Sequence, residues 1–511
     1  MPGVGKVYLV GAGPGDPELI TARALRRLRE ADVVLYDALV HPDQLKECAP
    51  GAELVFVGKR AGRRSERQGD INRRMVDAVR QGRTVVRLKG GDPYLFGRGS
   101  EEAEVLSAEG VPFEVVPGVP SPLAAAAYTG ISLTHRDVAS SIAYVTATES
   151  PEKDRSAHDW GKLATATQTI VFFMGLRKIE YLMKLLVEHG RDPATPAAVV
   201  QWASLPRQRT VIGTVGDIAS KVREAGIEMP ALTIVGDAVR LRQQLRWFDA
   251  QPLFGKRVLV TRPVHQAGSL SQLLRDEGAE PVEAPTIRII PPEDPSGLRA
   301  AVEQVGDYGW VVFTSKNGVA AFFEEVARQG GDARRLGGAR VLAIGPKTAE
   351  ALRERGVVAD RVPSEYRGES VAQEVLAEMG GATAGARVLV PRARDARQVL
   401  PERLRAAGAE VQVVEAYRTV TPTDADVARL RALFDEGSLD VATFTSSSTV
   451  TNLVDVLGEG AADRLAGLTV ASIGPITTET ARARGLRVDV TADEYTTAGL
   501  VRALRRHFTE R

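Results

Sequence analysis

The sequence predicts an α/β protein whose second half is internally duplicated, and three observations carry that expectation. Short β-branched runs alternate with amphipathic stretches along all 511 residues, the pattern of strands feeding helices. Glycine-bearing turns follow several runs directly, as at Gly11-Ala12-Gly13 and Gly90-Gly91-Asp92. Four segments of the second half recur in the same order about 130 residues further on. Length alone favours about three domains. A formal net charge of +1 gives no global pull toward nucleic acid or a membrane surface.

The first strand, "KVYLVG", runs into Gly11-Ala12-Gly13-Pro14-Gly15-Asp16. A dinucleotide fingerprint would have its third glycine at position 16. Asp16 stands there and would repel a pyrophosphate, while Pro14 lacks the N–H a phosphate cradle uses. The ordinary nucleotide reading therefore fails. "DVVLYD" ends on Asp37 and "ELVFVG" leads to Lys59, positions where an α/β sheet places reactive groups. For either residue alone, a surface ion pair is the plain alternative. A Gly/Arg loop follows, in which Arg63 and Arg64 either meet carboxylates or stand solvated. "TVVRLKG" ends in the tight turn Gly90-Gly91-Asp92-Pro93, bare backbone with one carboxylate, suited to a hydroxylated or amino-bearing ligand. "TIVFFM" and "LTIVGD" follow, and the aperiodic "RWFDAQPLFGKR" (Arg246 to Arg257) marks a boundary.

Beyond it, "GKRVLVTRP" returns as "GARVLVPRA", and "EGAEPVEAPTIR" as "AGAEVQVVEAYR". "WVVFTSKNGV" and "VLAIGPKTAEALRERG" return as "DVATFTSSSTV" and "VASIGPITTETARARG". Two copies of this size are whole lobes rather than stacked repeats. Proline-bearing stretches at Pro291 and Thr419 occupy equivalent places. If the chain changes lobe at each, the lobes interleave and two strands join them across a cleft that can open and close. Each copy carries polar loops after strands: Thr314-Ser315-Lys316 and Thr348 in one, Ser446-Ser447 and Thr477 in the other. Such loops at helix N-termini suit anions, and together they favour a polyanionic ligand. Simple N-capping is the alternative for any one of them. Tyr417, in "EAYRT", is a polar aromatic at a strand end, equally suited to core packing and to a cleft.

No metal site is expected, because the six histidines lack ligand spacing. Neither a G-x-S-x-G elbow nor a G-x-x-x-x-G-K-[ST] loop occurs. The single cysteine, Cys48, points to a reducing compartment. With neither a leader pattern nor a long apolar run in view, the cytoplasm is the expected location.

At this point the motifs resemble a family. "VGAGPGD", "ADVVLYDALV", "VGKRAG", "VVRLKGGDPYLFGRGSEE", "VPGV", "GISLTHRD", "VFFMGL" and "RTVIGTV" together resemble uroporphyrinogen-III C-methyltransferase over about residues 4–245. "FTSKNGV", "AIGPKTA", "FTSSS" and "SIGP" make the rest, about 255–508, similar to uroporphyrinogen-III synthase. The resemblance implies a two-lobed tetrapyrrole methylase fold over 1–245 and a linker over 246–254. A bilobal synthase domain over 255–511 follows, one lobe about 255–290 plus 420–511 and the other about 291–419. It also implies S-adenosylmethionine as cofactor, held by Pro14, Gly90, Gly91, Asp92, Leu95, Pro120, Ser121, Met174 and Ala203. Asp37 and Lys59 fall on the proton acceptor and donor, and Tyr417 on the tyrosine most important to the synthase. Two departures stand beside the cofactor set, "PGVPSP" for the usual PGVTSA and "VTAT" for VTGH.

The implied substrates are hydroxymethylbilane, closed to uroporphyrinogen III with one ring inverted, and uroporphyrinogen III itself. Methylation of the latter at C-2 and C-7 gives precorrin-2, toward sirohaem or cobalamin. Arg63, Arg64, Thr314, Ser315, Lys316, Thr348, Ser446, Ser447 and Thr477 would meet substrate carboxylates. The family also implies a homodimer through the methyltransferase half, with no nucleic-acid or membrane partner. The rival reading is a methyltransferase of the same fold on another substrate, with a non-catalytic tetrapyrrole-binding second half.

Overall fold

A computed structural model describes residues 5–510 apart from 59–66, 149–157, 263, 364–372, 374–375, 378–384 and 395–397, and apart from the side chains of 264–267. The chain divides into two compact units. One comprises Met1–Val258, Gln272–Pro281 and Leu504–Arg511; the other comprises Leu259–Ser271 and Val282–Ala503.

The first sheet is built from β1 (Val7–Gly11), β2 (Val33–Tyr36), β3 (Glu53–Phe56), β4 (Val85–Lys89) and β5 (Phe113–Val116), in the order β3-β2-β4-β1-β5. All four pairings are parallel. Alternation explains its two covered faces: Val7, Leu9, Val33 and Leu35 enter one core, Val10, Val34, Val86 and Leu88 the other. The order matters for function, because it sets the carboxyl ends of β4, β1 and β5 side by side. The second sheet holds β6 (Ile142–Thr146), β7 (Thr169–Phe173), β8 (Pro196–Gln201), β9 (Arg209–Thr214) and β10 (Ala231–Val235), ordered β6-β7-β10-β8-β9. Only β6 and β7 pair in parallel; the rest are antiparallel.

From residue 257 onward the duplication is visible as topology. One sheet runs β12-β11-β18-β19-β20, from β11 (Arg257–Val260), β12 (Glu280–Glu283), β18 (Val441–Phe444), β19 (Thr469–Ser472) and β20 (Val490–Thr491). The other runs β13-β17-β16-β14-β15, from β13 (Arg288–Ile290), β14 (Trp310–Phe313), β15 (Arg340–Ala343), β16 (Arg387–Ala393) and β17 (Glu410–Val420). Each sheet combines the first two strands of one sequence repeat with later strands of the other, so the repeats are interleaved. The two crossings are themselves paired: β13 runs antiparallel to the end of the 11-residue β17, Arg288 opposite Val420 and Ile290 opposite Arg418. The first change of sheet falls between Glu283 and Arg288, ahead of Pro291. Among the described residues no helix is long and apolar enough to cross a membrane.

Candidate functional site

Three turns meet at the carboxyl ends of β4, β1 and β5. The Gly13 N–H donates to the Gly91 carbonyl at 3.2 Å, and the Gly91 N–H to that of Gly13 at 2.9 Å. A Cβ at Gly11 would lie 2.5 Å from the Gly118 nitrogen, and one at Gly118 would lie 2.2 Å from the Gly91 oxygen. Glycine is required here because the backbones touch. The result is a floor of peptide groups without side chains.

Asp92 seals that floor. One carboxylate oxygen accepts the N–H groups of Tyr94 (2.8 Å) and Leu95 (3.1 Å), and the other accepts Gly118 N–H at 3.0 Å. The carboxylate that the sequence left open to a ligand is thus bound by three backbone donors of the chain itself. Asp37, just past β2, lies at the same edge: its carboxylate accepts from Leu39 N–H at 3.0 Å and from Gly90 N–H at 3.4 Å. Ser121 opens the helix Ser121–Thr129 behind Pro120, and its nitrogen is 3.9 Å from where a Gly91 Cβ would stand. Lys59, Arg63 and Arg64 lie outside the described residues.

The second sheet supplies Met174 at the end of β7 and Ala203 after β8. The Ala203 carbonyl presses on Gly15, 2.4 Å from where a Cβ would be. Phe96, in the loop after Asp92, packs on Phe173 with ring centroids 4.7 Å apart, next to half-exposed Met174. Among the described residues five non-glycine positions have positive φ: Phe96, Arg98, Met174, Trp202 and Ser204. All five sit on these loops. Strain of this kind persists where the surroundings over-determine the backbone, and it gathers at binding sites.

Beneath the floor lies a charged cluster that sequence reasoning missed. Arg87 and Lys89, two residues apart on β4 and so on one face, are 5% and 4% exposed, and Glu102 is fully buried. The Lys89 ammonium reaches both Glu102 oxygens at 2.9 Å; Arg87 Nε reaches one at 3.2 Å, and the Gln68 amide donates to it at 2.8 Å. Burial, reinforced by the Arg87 charge, pushes the Lys89 ammonium below its ordinary range against the pull of Glu102. The available cue was "VVRLK" itself, since two cations on a strand that is otherwise apolar need a buried partner.

In the other unit, Tyr417 on β17 places its hydroxyl 3.0 Å from Ser315 Oγ. Ser315 caps the helix Lys316–Arg328, accepting from Gly318 N–H at 3.0 Å. Tyr417 lines a cavity of about 500 Å³ together with Lys316, Asn317, Glu324, Arg328 and Arg355. Burial first, then the charges of Arg262 and Lys347, lower the Lys316 ammonium below its usual value against the pull of Glu354 and Glu350. Thr314 precedes Ser315, while Thr348 is buried in the first turn of the helix Pro346–Arg353.

In the other copy Ser446 caps the helix Ser447–Leu457 in a capping box with Thr449, and Thr477 is buried. Ser447 accepts from the Thr480 hydroxyl at 2.8 Å. Capping therefore explains the Ser315 and Ser446 hydroxyls locally. Lys316, and Tyr417 reaching Ser315 from the second copy, are what set the first copy's loop apart.

Comparison with known proteins agrees with this division. Residues 6–219 match the family model for tetrapyrrole (corrin/porphyrin) methylases, and residues 268–502 match that for uroporphyrinogen-III synthase HemD. The chain is 37% identical to the porphyrin biosynthesis protein HemD of Ruminiclostridium josui, covering 97% of each chain. It is 40% identical to a uroporphyrinogen-III C-methyltransferase of Bacillus subtilis (strain 168), over 71% of this chain and 74% of that one. A solved uroporphyrin-III C-methyl transferase of Thermus thermophilus, complexed with S-adenyl homocysteine, is 44% identical over 46% of this chain and all of that one, at a TM-score of 0.40.

Proposed function

Because the chain belongs to the family of porphyrin biosynthesis proteins that join a tetrapyrrole methylase to a uroporphyrinogen-III synthase, we propose that it closes hydroxymethylbilane to uroporphyrinogen III and then methylates that product at C-2 and C-7. Precorrin-2 is then the product, on the way to sirohaem or cobalamin. The observation that carries the reading is the side-chain-free floor of Gly11, Gly91 and Gly118, with the Asp37 carboxylate at its edge.

The residues present fit S-adenosylmethionine. A floor of backbone, with the Asp92 carboxylate holding three backbone N–H groups and Pro14, Leu95, Met174 and Ala203 around it, suits a nucleoside bearing a sulfonium better than a pyrophosphate. Those residues, with Gly90, Gly91, Pro120 and Ser121, would hold it. When bound, the cofactor supplies an electrophilic methyl group. The chain's part is placement, since in-line transfer depends more on orientation than on a nucleophilic side chain. Asp37 then accepts the proton that the methylated ring carbon framework must lose. The homodimer through this half belongs to the same proposal.

For the synthase, the substrate's carboxylates are drawn to Lys316, Arg262 and Lys347. Ser315 accepts from Gly318 N–H, and the reaction requires it to give its own proton to the Tyr417 oxygen, so that the phenol proton is free for the substrate. Tyr417 gives that proton to the departing hydroxyl; the C–O bond breaks, water leaves, and the resulting cation is captured at the substituted α-carbon of the terminal ring. The bond from that carbon to its methylene bridge then breaks and re-forms at the ring's free α-carbon, which inverts the ring, and the proton lost from that carbon restores the Tyr417 phenol. Tyr417→Phe should lower the rate of uroporphyrinogen III formation about 10²-fold, with methylation of supplied uroporphyrinogen III unchanged. An enzymatically generated supply of hydroxymethylbilane, read by separation of the type I and type III isomers, checks this. An unaltered rate would remove Tyr417 from the mechanism.

A further inference from the structure

Asp16, which breaks the dinucleotide pattern, has a partner network of its own. Ser204, 3% exposed, donates its hydroxyl to the Pro14 carbonyl at 2.8 Å and accepts Asp16 N–H at 3.0 Å. Its own N–H donates to the Gln208 side-chain oxygen at 2.9 Å, and the Gln208 amide donates to the Tyr128 carbonyl at 3.2 Å. The Tyr128 hydroxyl closes the ring by donating to the Asp16 carboxylate at 2.7 Å. Burial and that hydrogen bond both push the Tyr128 phenol upward, so it stays protonated as a donor.

These contacts join parts of the chain 188 and 190 residues apart. They connect the turn after β1 in the first sheet with the loop after β8 in the second. The loop is held in a conformation it would not choose: Trp202 and Ser204 have φ of 49° and 68°. On the other side, Gly15 has a φ of 65°, and a Cβ there would lie 2.5 Å from the Ser204 hydroxyl. One hydroxyl satisfies two part-buried backbone groups, the Pro14 carbonyl and the Asp16 N–H, at once. The shape of the Pro14–Asp16 turn is therefore set from the second sheet.

We propose that Ser204, supported by Gln208 and by the Tyr128–Asp16 bond, is a positioning latch that presents Pro14 and Ala203 together as one wall of the cofactor site. The latch rests on the reading of that wall as the S-adenosylmethionine site. Ser204 touches neither reacting group; it acts through the Pro14–Asp16 turn. It also gives Asp16 a role in place of the missing third glycine.

The test is calorimetric binding of S-adenosylhomocysteine to the full chain, together with steady-state methylation of supplied uroporphyrinogen III. Losing two part-buried hydrogen bonds should raise the dissociation constant about tenfold in Ser204→Ala. Ser204→Gly should lose the same affinity, although glycine releases the left-handed strain that alanine keeps. Tyr128→Phe should weaken binding about threefold. The KM for uroporphyrinogen III should stay within about twofold throughout, since that contact is not made through the turn. Wild-type affinity in both Ser204 variants overturns the latch, as does an affinity loss that follows melting temperature and so differs between Ala and Gly. If the wild-type chain itself fails to bind S-adenosylhomocysteine, the cofactor reading falls and takes the latch with it.

Discussion

Asp37→Asn should lower methyl transfer about 10²–10⁴-fold while leaving closure of hydroxymethylbilane at its full rate. The substitution keeps an oxygen to accept Leu39 N–H at the end of β2 and changes little in size. What it removes is the ability to take a proton beside Gly90, where the carboxylate now stands 3.4 Å from the backbone nitrogen. If Asp37 only shaped the turn, its loss would appear as weaker cofactor binding and a lower melting temperature with kcat nearly preserved. The assignment as base requires the opposite split: kcat falls, and affinity for S-adenosylhomocysteine is kept. Steady-state methylation with supplied uroporphyrinogen III, paired with calorimetric binding, separates the two.

The second large effect concerns stability. Glu102→Gln should destabilise the methylase half by about 3–5 kcal/mol, because it leaves two buried cations without their anion. Lys89 makes both of its carboxylate bonds to this one residue, and Arg87 and Gln68 share it. Lys89→Met offers the contrast. It leaves a neutral Arg87–Glu102 pair in apolar surroundings and should cost less, since a buried cation is replaced by a side chain of similar length without charge. Denaturant unfolding of the full chain, followed through the transition of this half, gives the order. Equal losses for the two variants would mean that packing rather than charge governs the cluster.

Much of the architecture was legible in the sequence, because duplication leaves matched words. "RVLVTR" and "RVLVPR" became β11 and β16, equivalent strands in two sheets that share a four-strand order, β12-β11-β18-β19 and β17-β16-β14-β15. The interleaving followed from where the proline-bearing stretches fell, although β13 begins ahead of Pro291 because Arg288–Ile290 already pairs with β17. The glycine turns were readable as a place of close backbone approach because tight strand ends admit few residue types. Residues that act across the fold were not readable. Ser204 sits in a plain polar stretch, "ASLPRQ", and only folding brings it to Pro14. The three backbone bonds that Asp92 makes, one of them to Gly118, are invisible until the turns meet. The hydroxyl loops of the two copies looked alike, and the approach of Tyr417 on its long strand to one of them appears only in the fold.

The central claim is that one chain makes uroporphyrinogen III and then methylates it. The most direct measurement is a single-vessel assay of the purified chain with hydroxymethylbilane, with and without S-adenosylmethionine, read by absorbance and mass. The type III isomer is expected without the cofactor, and a product heavier by two methyl groups with it. Formation of only the type I isomer, which arises without an enzyme, would contradict the synthase assignment; type III isomer that gains no mass in the presence of S-adenosylmethionine would contradict the methyltransferase.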